Sequence, residues 1–264
     1  MALYLILPFI IIFFSLLIYR FTGRRMFLKM DLVQMIYAFF TSPLLFIWAK
    51  HLIYQFFFDD QLKIAQVSFG LWFWLDTSFS VAFLLLYAFI IIHFVTKNFE
   101  IRRYKDEQFN ILDFSEQLHL WVSHVGIYLG TMVLSALLAL FNLFFPLPVE
   151  QNIFVFWFVP WLGVVLGVIV YLGIWLSNFT QGPFLKVIKL GIAIQTSVLT
   201  ATYLIIRPAV SPIYFVYWFI LTISVSVFLT SIFLEKSDRL MQWAEKLHHK
   251  LKWSSRKGEF DHPK

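Results

Sequence analysis

Cysteine is absent from the 264 residues of this chain. Its absence excludes disulfide frameworks, thiolate metal sites, cysteine nucleophiles and thiol redox chemistry. Charged residues are also scarce, at 14%, while 60% of the residues are hydrophobic and 20% are aromatic. Because a soluble domain carries about 25% charged residues, this composition excludes an ordinary soluble fold and predicts a protein that resides in a lipid bilayer.

Sequence motifs of soluble enzymes are missing as well. The chain contains no His-Glu-x-x-His, no Gly-x-Ser-x-Gly and no phosphate-binding glycine loop, which are the patterns of metalloproteases, serine hydrolases and nucleotide-binding proteins. Its 10 glycines are few for a carrier built on broken helices. Nothing in the sequence therefore supports catalysis, and no motif predicts a cofactor.

Long apolar runs dominate the chain. A helix needs about 20 apolar residues to cross the hydrocarbon core of a membrane. Seven segments are long enough, at about 2–19, 33–57, 69–96, 119–145, 153–176, 184–206 and 210–234. We therefore predict an all-α polytopic transmembrane helix bundle of about seven spans over residues 1–234, followed by a tail over residues 235–264.

Basic residues are distributed unequally between the predicted loops. If successive loops lie on opposite sides of the membrane, 18 of the 21 lysines and arginines fall on one side and 3 on the other. Basic loops stay in the cytoplasm, so we predict an outer amino terminus and a cytoplasmic carboxyl terminus. We therefore attribute the net charge of +6 to residues at the cytoplasmic membrane surface, and we predict no nucleic-acid partner. The first apolar run lacks the features of a cleaved signal, which favours a prokaryotic plasma (inner) membrane.

The tail has the pattern of a basic amphipathic helix. Leu240, Leu247 and Leu251 fall on one helical face together with a tryptophan, and basic residues surround that face. Such a helix lies at the membrane interface, where it binds anionic lipid or docks on a protein subunit of a membrane complex. The residues predicted to form this surface are Arg239, Trp243, Lys246, Lys250 and Lys252.

Ionisable side chains inside the predicted spans mark candidate sites, because a charge within the bilayer is costly and needs a partner. Antiparallel packing of spans 2 and 3 brings Lys50 and Asp76 to a similar depth, which predicts an ion pair. The pair is either structural or part of a transport path for a small solute or an ion. Other polar residues that fit the same network are His51, Ser80, Gln195 and Arg207.

Three histidines fall near the predicted inner surface of the membrane. His93 ends the third predicted span, and His119 and His124 begin the fourth. Histidines offered by two helices at matching depth are able to hold a haem or a transition metal. The same residues also suit the headgroup region, where an apolar ring with a polar tip has a structural role.

Glycines at four-residue spacing predict close helix packing. Gly126 and Gly130 lie in the fourth predicted span, and Gly163 and Gly167 lie in the fifth. This spacing allows helix backbones to approach each other in a membrane. We expect the four glycines to pack within the bundle, with self-association of the chain as the alternative.

These patterns leave three functions open. The first is a membrane-embedded scaffold or accessory subunit that acts through its tail and through the predicted cytoplasmic loop at about residues 97–118. The second is a small-solute or ion transporter whose path runs near Asp76 and Lys50. The third is a redox protein that uses the inner-side histidines to hold a haem or a metal ion.

Overall fold

The structure of the chain is a computed structural model that describes residues 11, 26–27, 30–57, 68–102, 115, 118–147, 153–177, 182–236, 242–243 and 246. These residues are nearly all helical. We number the elements in chain order as β1 (Met26–Phe27), β2 (Met30–Asp31), α1 (Leu32–Ile36), α2 (Ser42–Phe57), α3 (Phe69–Arg102), α4 (Val125–Phe144), α5 (Ile153–Ser177), α6 (Gly182–Ile206) and α7 (Phe215–Lys236).

Two π-helical segments and one 3-10 turn interrupt this series. The first π-helical segment, Tyr37–Thr41, joins α1 to α2, and the second, Leu118–His124, leads directly into α4. A 3-10 turn at Pro212–Tyr214 precedes α7. Because π-helical turns are rare and occur frequently at functional sites, the histidines in the second segment are candidates for a functional site.

Five helical segments in the described part of the chain are long and apolar enough to cross a membrane: Leu32–Tyr54, Phe69–Asn98, Leu118–Phe144, Phe184–Ile206 and Pro212–Leu234. They confirm the prediction of a membrane protein built from helices. In α5 the apolar segment identified is the shorter Pro160–Trp175. The span predicted at 2–19 lies outside the described residues, apart from the helical Ile11, so the count of seven stays a prediction.

The chain divides into two compact units. The first contains Met1–His51, Leu86–His124 and Gln242–Lys264, and the second contains Leu52–Leu85 and Val125–Met241. In the first unit, Asp31 ends the two-residue strand β2 and caps α1, because its carboxylate accepts hydrogen bonds from the backbone of Val33 and Gln34. Its own backbone N–H donates to Asn98 Oδ1 on α3 at 2.8 Å. The short antiparallel pair β1–β2 was not predicted.

The second unit is organised around α7, which packs against α4, α5 and α6. The approach of α5 is close: a Cβ atom on Gly167 would lie 2.5 Å from Ser226 Cβ and 2.8 Å from the Ile223 carbonyl oxygen. At Gly163 it would lie 2.2 Å from Thr222 Oγ1. These positions therefore need glycine, and the Ser226 hydroxyl donates to the Val164 carbonyl at 2.7 Å across the same interface.

Polar side chains inside the second unit are used to join helices. The fully buried Asn142 on α4 donates to the Ile213 carbonyl at 2.9 Å and accepts from the Tyr217 backbone N–H at 3.1 Å. In a continuous α-helix those two backbone groups would bond to each other, because residue i donates to residue i−4. The Asn142 amide bridges them instead and attaches the start of α7 to α4.

Candidate metal centre

Three histidine side chains meet in the first unit. His93 lies on the last part of α3, and His119 and His124 lie in the second π-helical segment. The ring centroids of His93 are 4.5 Å from His119 and 4.7 Å from His124, and the last two rings are also 4.7 Å apart. These contacts form a compact triangle, which we call the histidine cluster.

The π-helical conformation of Leu118–His124 explains how two of these residues share one face. His119 and His124 are five positions apart, and in an α-helix five residues turn the chain to about 140° from the starting face. In a π-helix the backbone N–H bonds to the carbonyl five residues earlier, so residues i and i+5 lie one above the other. The local conformation thus turns both imidazoles toward α3.

The spacing of the ring nitrogens suits a single metal ion. One nitrogen from each histidine lies within 4.8 Å of the other two. When three nitrogens are at most 4.8 Å apart, a point between them lies no more than about 2.8 Å from each nitrogen (4.8 Å divided by √3). Zinc–imidazole bonds are about 2.0–2.1 Å long. An inward movement of less than about 1 Å at each nitrogen would therefore bring all three to the zinc–imidazole bond length.

The spacing of the rings disfavours the haem that the sequence left open. Imidazoles on opposite faces of a haem iron have ring centroids about 6 Å apart, since each metal–nitrogen bond is about 2 Å long. The His93 and His119 rings are instead stacked at 4.5 Å with an angle of 24° between their planes. A macrocycle does not fit between rings at this distance, whereas a bare ion at their edges does.

His119 is the buried member of the cluster, His93 and His124 are half-buried, and two buried hydroxyl groups contact the rings. His119 is 6% exposed, Ser123 is 0% exposed and Thr96 is 5% exposed. Thr96 Oγ1 lies 3.1 Å from His119 Nδ1, and Ser123 Oγ lies 3.5 Å from His93 Nδ1. Neither hydroxyl was singled out from the sequence, although each stands within one helical turn of a histidine.

The donor atoms of the cluster restrict the kind of ion that it can hold. Lys97 places a positive charge near His119, so a cation at the cluster would need bonds to the rings that outweigh this repulsion. Hard cations such as Ca²⁺ and Mg²⁺ need several carboxylate or carbonyl oxygens, whereas the candidate ligand group found among the described residues consists of three imidazoles. Imidazole nitrogen suits zinc, copper, iron and nickel, which makes a divalent transition metal the fitting ligand.

The residues of the predicted ion pair are found on different units. Lys50 is half-buried and His51 is exposed on α2 in the first unit. Asp76 is half-buried on α3 in the second unit, where its backbone carbonyl accepts from the Ser80 hydroxyl at 2.8 Å. A pairing of Lys50 with Asp76 stays a prediction.

Gln195 and Arg207 have local roles in the second unit. The Gln195 side chain on α6 donates to Ser135 Oγ on α4 at 2.9 Å. Arg207 follows α6 with a positive φ of 48° and is exposed, and its backbone N–H donates to the Tyr203 carbonyl at 2.8 Å. Both therefore stabilise helix contacts or a helix end, and their place in a transport path stays a prediction.

The remaining predicted residues are only partly described. Gly126 and Gly130 are half-buried on α4, while Gly163 and Gly167 face α7. In the tail, Trp243 and Lys246 are exposed, and the predicted surface residues Arg239, Lys250 and Lys252 lie outside the described residues. The amphipathic helix predicted for the tail therefore stays a prediction.

Comparison of the chain with protein-family models, with curated proteins and with solved structures finds no match. The chemistry of the histidine cluster is therefore argued from the residues of this chain alone.

Proposed function

We propose that this chain is a multi-pass membrane protein that binds one divalent transition-metal ion, best matched by Zn²⁺, between His93, His119 and His124. The observation that carries this proposal is the convergence of one ring nitrogen from each histidine within 4.8 Å. Zinc accepts three imidazoles and tetrahedral geometry, and sites with three protein ligands keep the fourth position for water or another small ligand. The site is thus suited to exchangeable binding at an open coordination position.

The mutual contact of the three rings supports binding of a metal in preference to a purely structural role. A neutral imidazole has one nitrogen with an available lone pair, so the three rings together offer three ligand atoms within 4.8 Å of one another. A metal ion bonded to one nitrogen of each ring ties the second π-helical segment to α3.

The topology that we propose is seven spans with an outer amino terminus and a cytoplasmic carboxyl terminus, in a prokaryotic plasma membrane. The support is the distribution of 18 basic residues on one side and 3 on the other, as expected for cytoplasmic loops. This topology puts the histidine cluster at the cytoplasmic end of spans 3 and 4. The metal site is then filled from the cytoplasm.

Single-cysteine labelling tests this topology, because the natural chain has no cysteine to give a background. We expect a membrane-impermeant thiol reagent applied to intact cells to label Lys63→Cys, in the predicted loop between spans 2 and 3. Lys105→Cys, in the predicted loop between spans 3 and 4, should be labelled only after the membrane is opened. The opposite labelling pattern would reverse the orientation.

Metal analysis of the purified protein tests the binding function. After exposure to Zn²⁺ in mild detergent and removal of free ions, we expect about one zinc ion per chain and a colourless sample, as the three-histidine site predicts. A sample that retains no zinc after this treatment contradicts the proposal. A haem absorption band on purification would instead restore the haem alternative.

The scaffold and transporter functions predicted from the sequence remain predictions. The residues on which they depend lie in the tail, in the predicted cytoplasmic loop and around Asp76 and Lys50. None of the contacts described for those residues has the chemical specificity of the three-histidine cluster. We therefore give the metal site precedence over both.

A further inference from the structure

We propose that Thr96 and Ser123 are positioning residues that fix the tautomers of His119 and His93, so that both rings present Nε2 to the metal ion. This inference rests on the proposed function of the cluster. The proposed function does not specify which nitrogen of each imidazole binds the ion. Each imidazole has two nitrogens, and only the unprotonated one is able to bind a metal.

The tautomer of His119 follows from the hydrogen bonds of Thr96. A threonine hydroxyl has one proton to donate, and Thr96 Oγ1 lies 2.8 Å from the Ile92 carbonyl and 3.2 Å from the His93 carbonyl. Carbonyl oxygens only accept, so the proton of Thr96 is directed to them. The contact between Thr96 Oγ1 and His119 Nδ1 at 3.1 Å therefore favours a proton on Nδ1, which leaves the lone pair of a neutral His119 on Nε2. The His93 carbonyl is a further acceptor for the His119 ring.

The tautomer of His93 follows in the same way from the hydrogen bonds of Ser123. The Ser123 hydroxyl donates its proton to the His119 carbonyl, one helical turn earlier in its own segment. Ser123 Oγ also lies 3.5 Å from His93 Nδ1, where it is left as an acceptor. A neutral His93 thus carries its proton on Nδ1 as well, with a longer and weaker bond than the one that fixes His119.

The two bonds form a reciprocal brace between α3 and the second π-helical segment. Thr96 on α3 holds the ring of His119 in the π-helical segment, and Ser123 in that segment holds the ring of His93 on α3. Thr96 and Ser123 are both buried, as is His119, so water has little access to the bond between Thr96 and His119. Metal-binding histidines almost always donate their second N–H to such a partner, and loss of the partner typically lowers metal affinity 10–100-fold.

The tautomers can be read in the metal-free protein. With ¹⁵N-labelled histidine at about pH 8, where an ordinary histidine is neutral, long-range nitrogen NMR distinguishes a proton on Nδ1 from one on Nε2. We expect His119 and His93 to be protonated on Nδ1, and we expect Thr96→Val to shift His119 toward a mixture. A wild-type His119 protonated on Nε2 would overturn the inference.

Zinc affinity provides the second readout. We expect Thr96→Val to weaken binding about 10–100-fold and Thr96→Ser, which keeps the hydroxyl, to bind about as tightly as the wild type. Thr202→Val is the matched control. The exposed Thr202 hydroxyl also donates one turn back along its own helix, to the Val198 carbonyl at 2.8 Å. Thr202 belongs to the second unit and is not part of the cluster. Equal affinities for Thr96→Val, Thr96→Ser and the wild type would overturn the inference.

The two readouts separate this inference from the proposed function. If the wild type binds no zinc, the proposed function fails while the tautomer measurement on metal-free protein still decides the role of Thr96. If zinc binds but His119 is protonated on Nε2, the function stands and the positioning role fails. Should Thr96→Val not fold, the wild-type spectrum and the Thr96→Ser variant still decide the question.

Discussion

Replacing His119 by alanine is expected to weaken zinc binding by about 100-fold or more. A structural zinc site with four ligands contributes about 10–16 kcal/mol, so one ligand accounts for about 3 kcal/mol, and each 1.4 kcal/mol corresponds to a tenfold change in affinity. His93→Ala and His124→Ala should have losses of similar size, because all three rings contribute one nitrogen. Competition with a coloured zinc chelator in detergent measures the change.

The control for this series is His51→Ala. His51 is an exposed histidine on α2 outside the cluster, so its loss removes one imidazole from the protein without removing a ligand from the site. We expect wild-type zinc affinity from this variant. If His51→Ala and His119→Ala weaken binding equally, or if neither does, the ion is bound elsewhere and the three-histidine site is wrong.

Replacing Asn142 by leucine is expected to lower the free energy of unfolding by about 2–3 kcal/mol. The substitution removes the acceptor of the Tyr217 N–H and one of two donors to the Ile213 carbonyl, which also accepts from the Leu147 N–H. A buried backbone group that loses its partner costs about 1–3 kcal/mol. The apparent melting temperature in detergent should fall by roughly 5–10 °C, by the scaling for chains of this size.

The matched control for Asn142 is Thr131→Val on the same helix. The Thr131 hydroxyl is exposed and donates at 2.7 Å to Ile127 of its own helix, so it joins no two elements. Substitutions of this kind usually change stability by less than about 0.5 kcal/mol. An Asn142→Leu variant that melts with the wild type would show that α7 closes its own Tyr217–Ile213 bond and does not need the asparagine bridge.

Apolar length was sufficient to predict the five long apolar helices that the structure describes, because a span is defined by a local run of about 20 residues. The short strands β1 and β2 escaped prediction for the opposite reason. One contact of β2 with the rest of the first unit is the hydrogen bond between Asp31 and Asn98, which are 67 positions apart. No local pattern of turn residues predicts a contact between residues so far apart in the sequence.

The histidine cluster was predicted in part. Sequence position gave the matching depth of His93 and His119, but an α-helical reading of the fourth span puts His119 and His124 on different faces. The π-helical segment Leu118–His124 brings them together, and a π-helix has no sequence pattern that distinguishes it from an α-helix. The convergence of the three rings therefore became visible only in the structure.

The role of Asn142 was not predicted. Gln195 was predicted to belong to a polar network, but the amide of Asn142, in an apolar run between Phe141 and Leu143, was not. A fully buried amide also needs partners, so an isolated asparagine in an apolar span indicates a contact between helices. Its partners at Ile213 and Tyr217 are 71 and 75 positions away and could not be named from the sequence.

The most direct test of the central claim is X-ray absorption at the zinc edge of the zinc-loaded protein, which reports the kind and number of atoms bonded to the ion. We predict three imidazoles, recognised by scattering from their ring atoms, with nitrogens at about 2.0–2.1 Å and one further oxygen ligand such as water, and two imidazoles in the His119→Ala variant. A spectrum without imidazole scattering, or one that is identical in the wild type and in His119→Ala, would contradict the account.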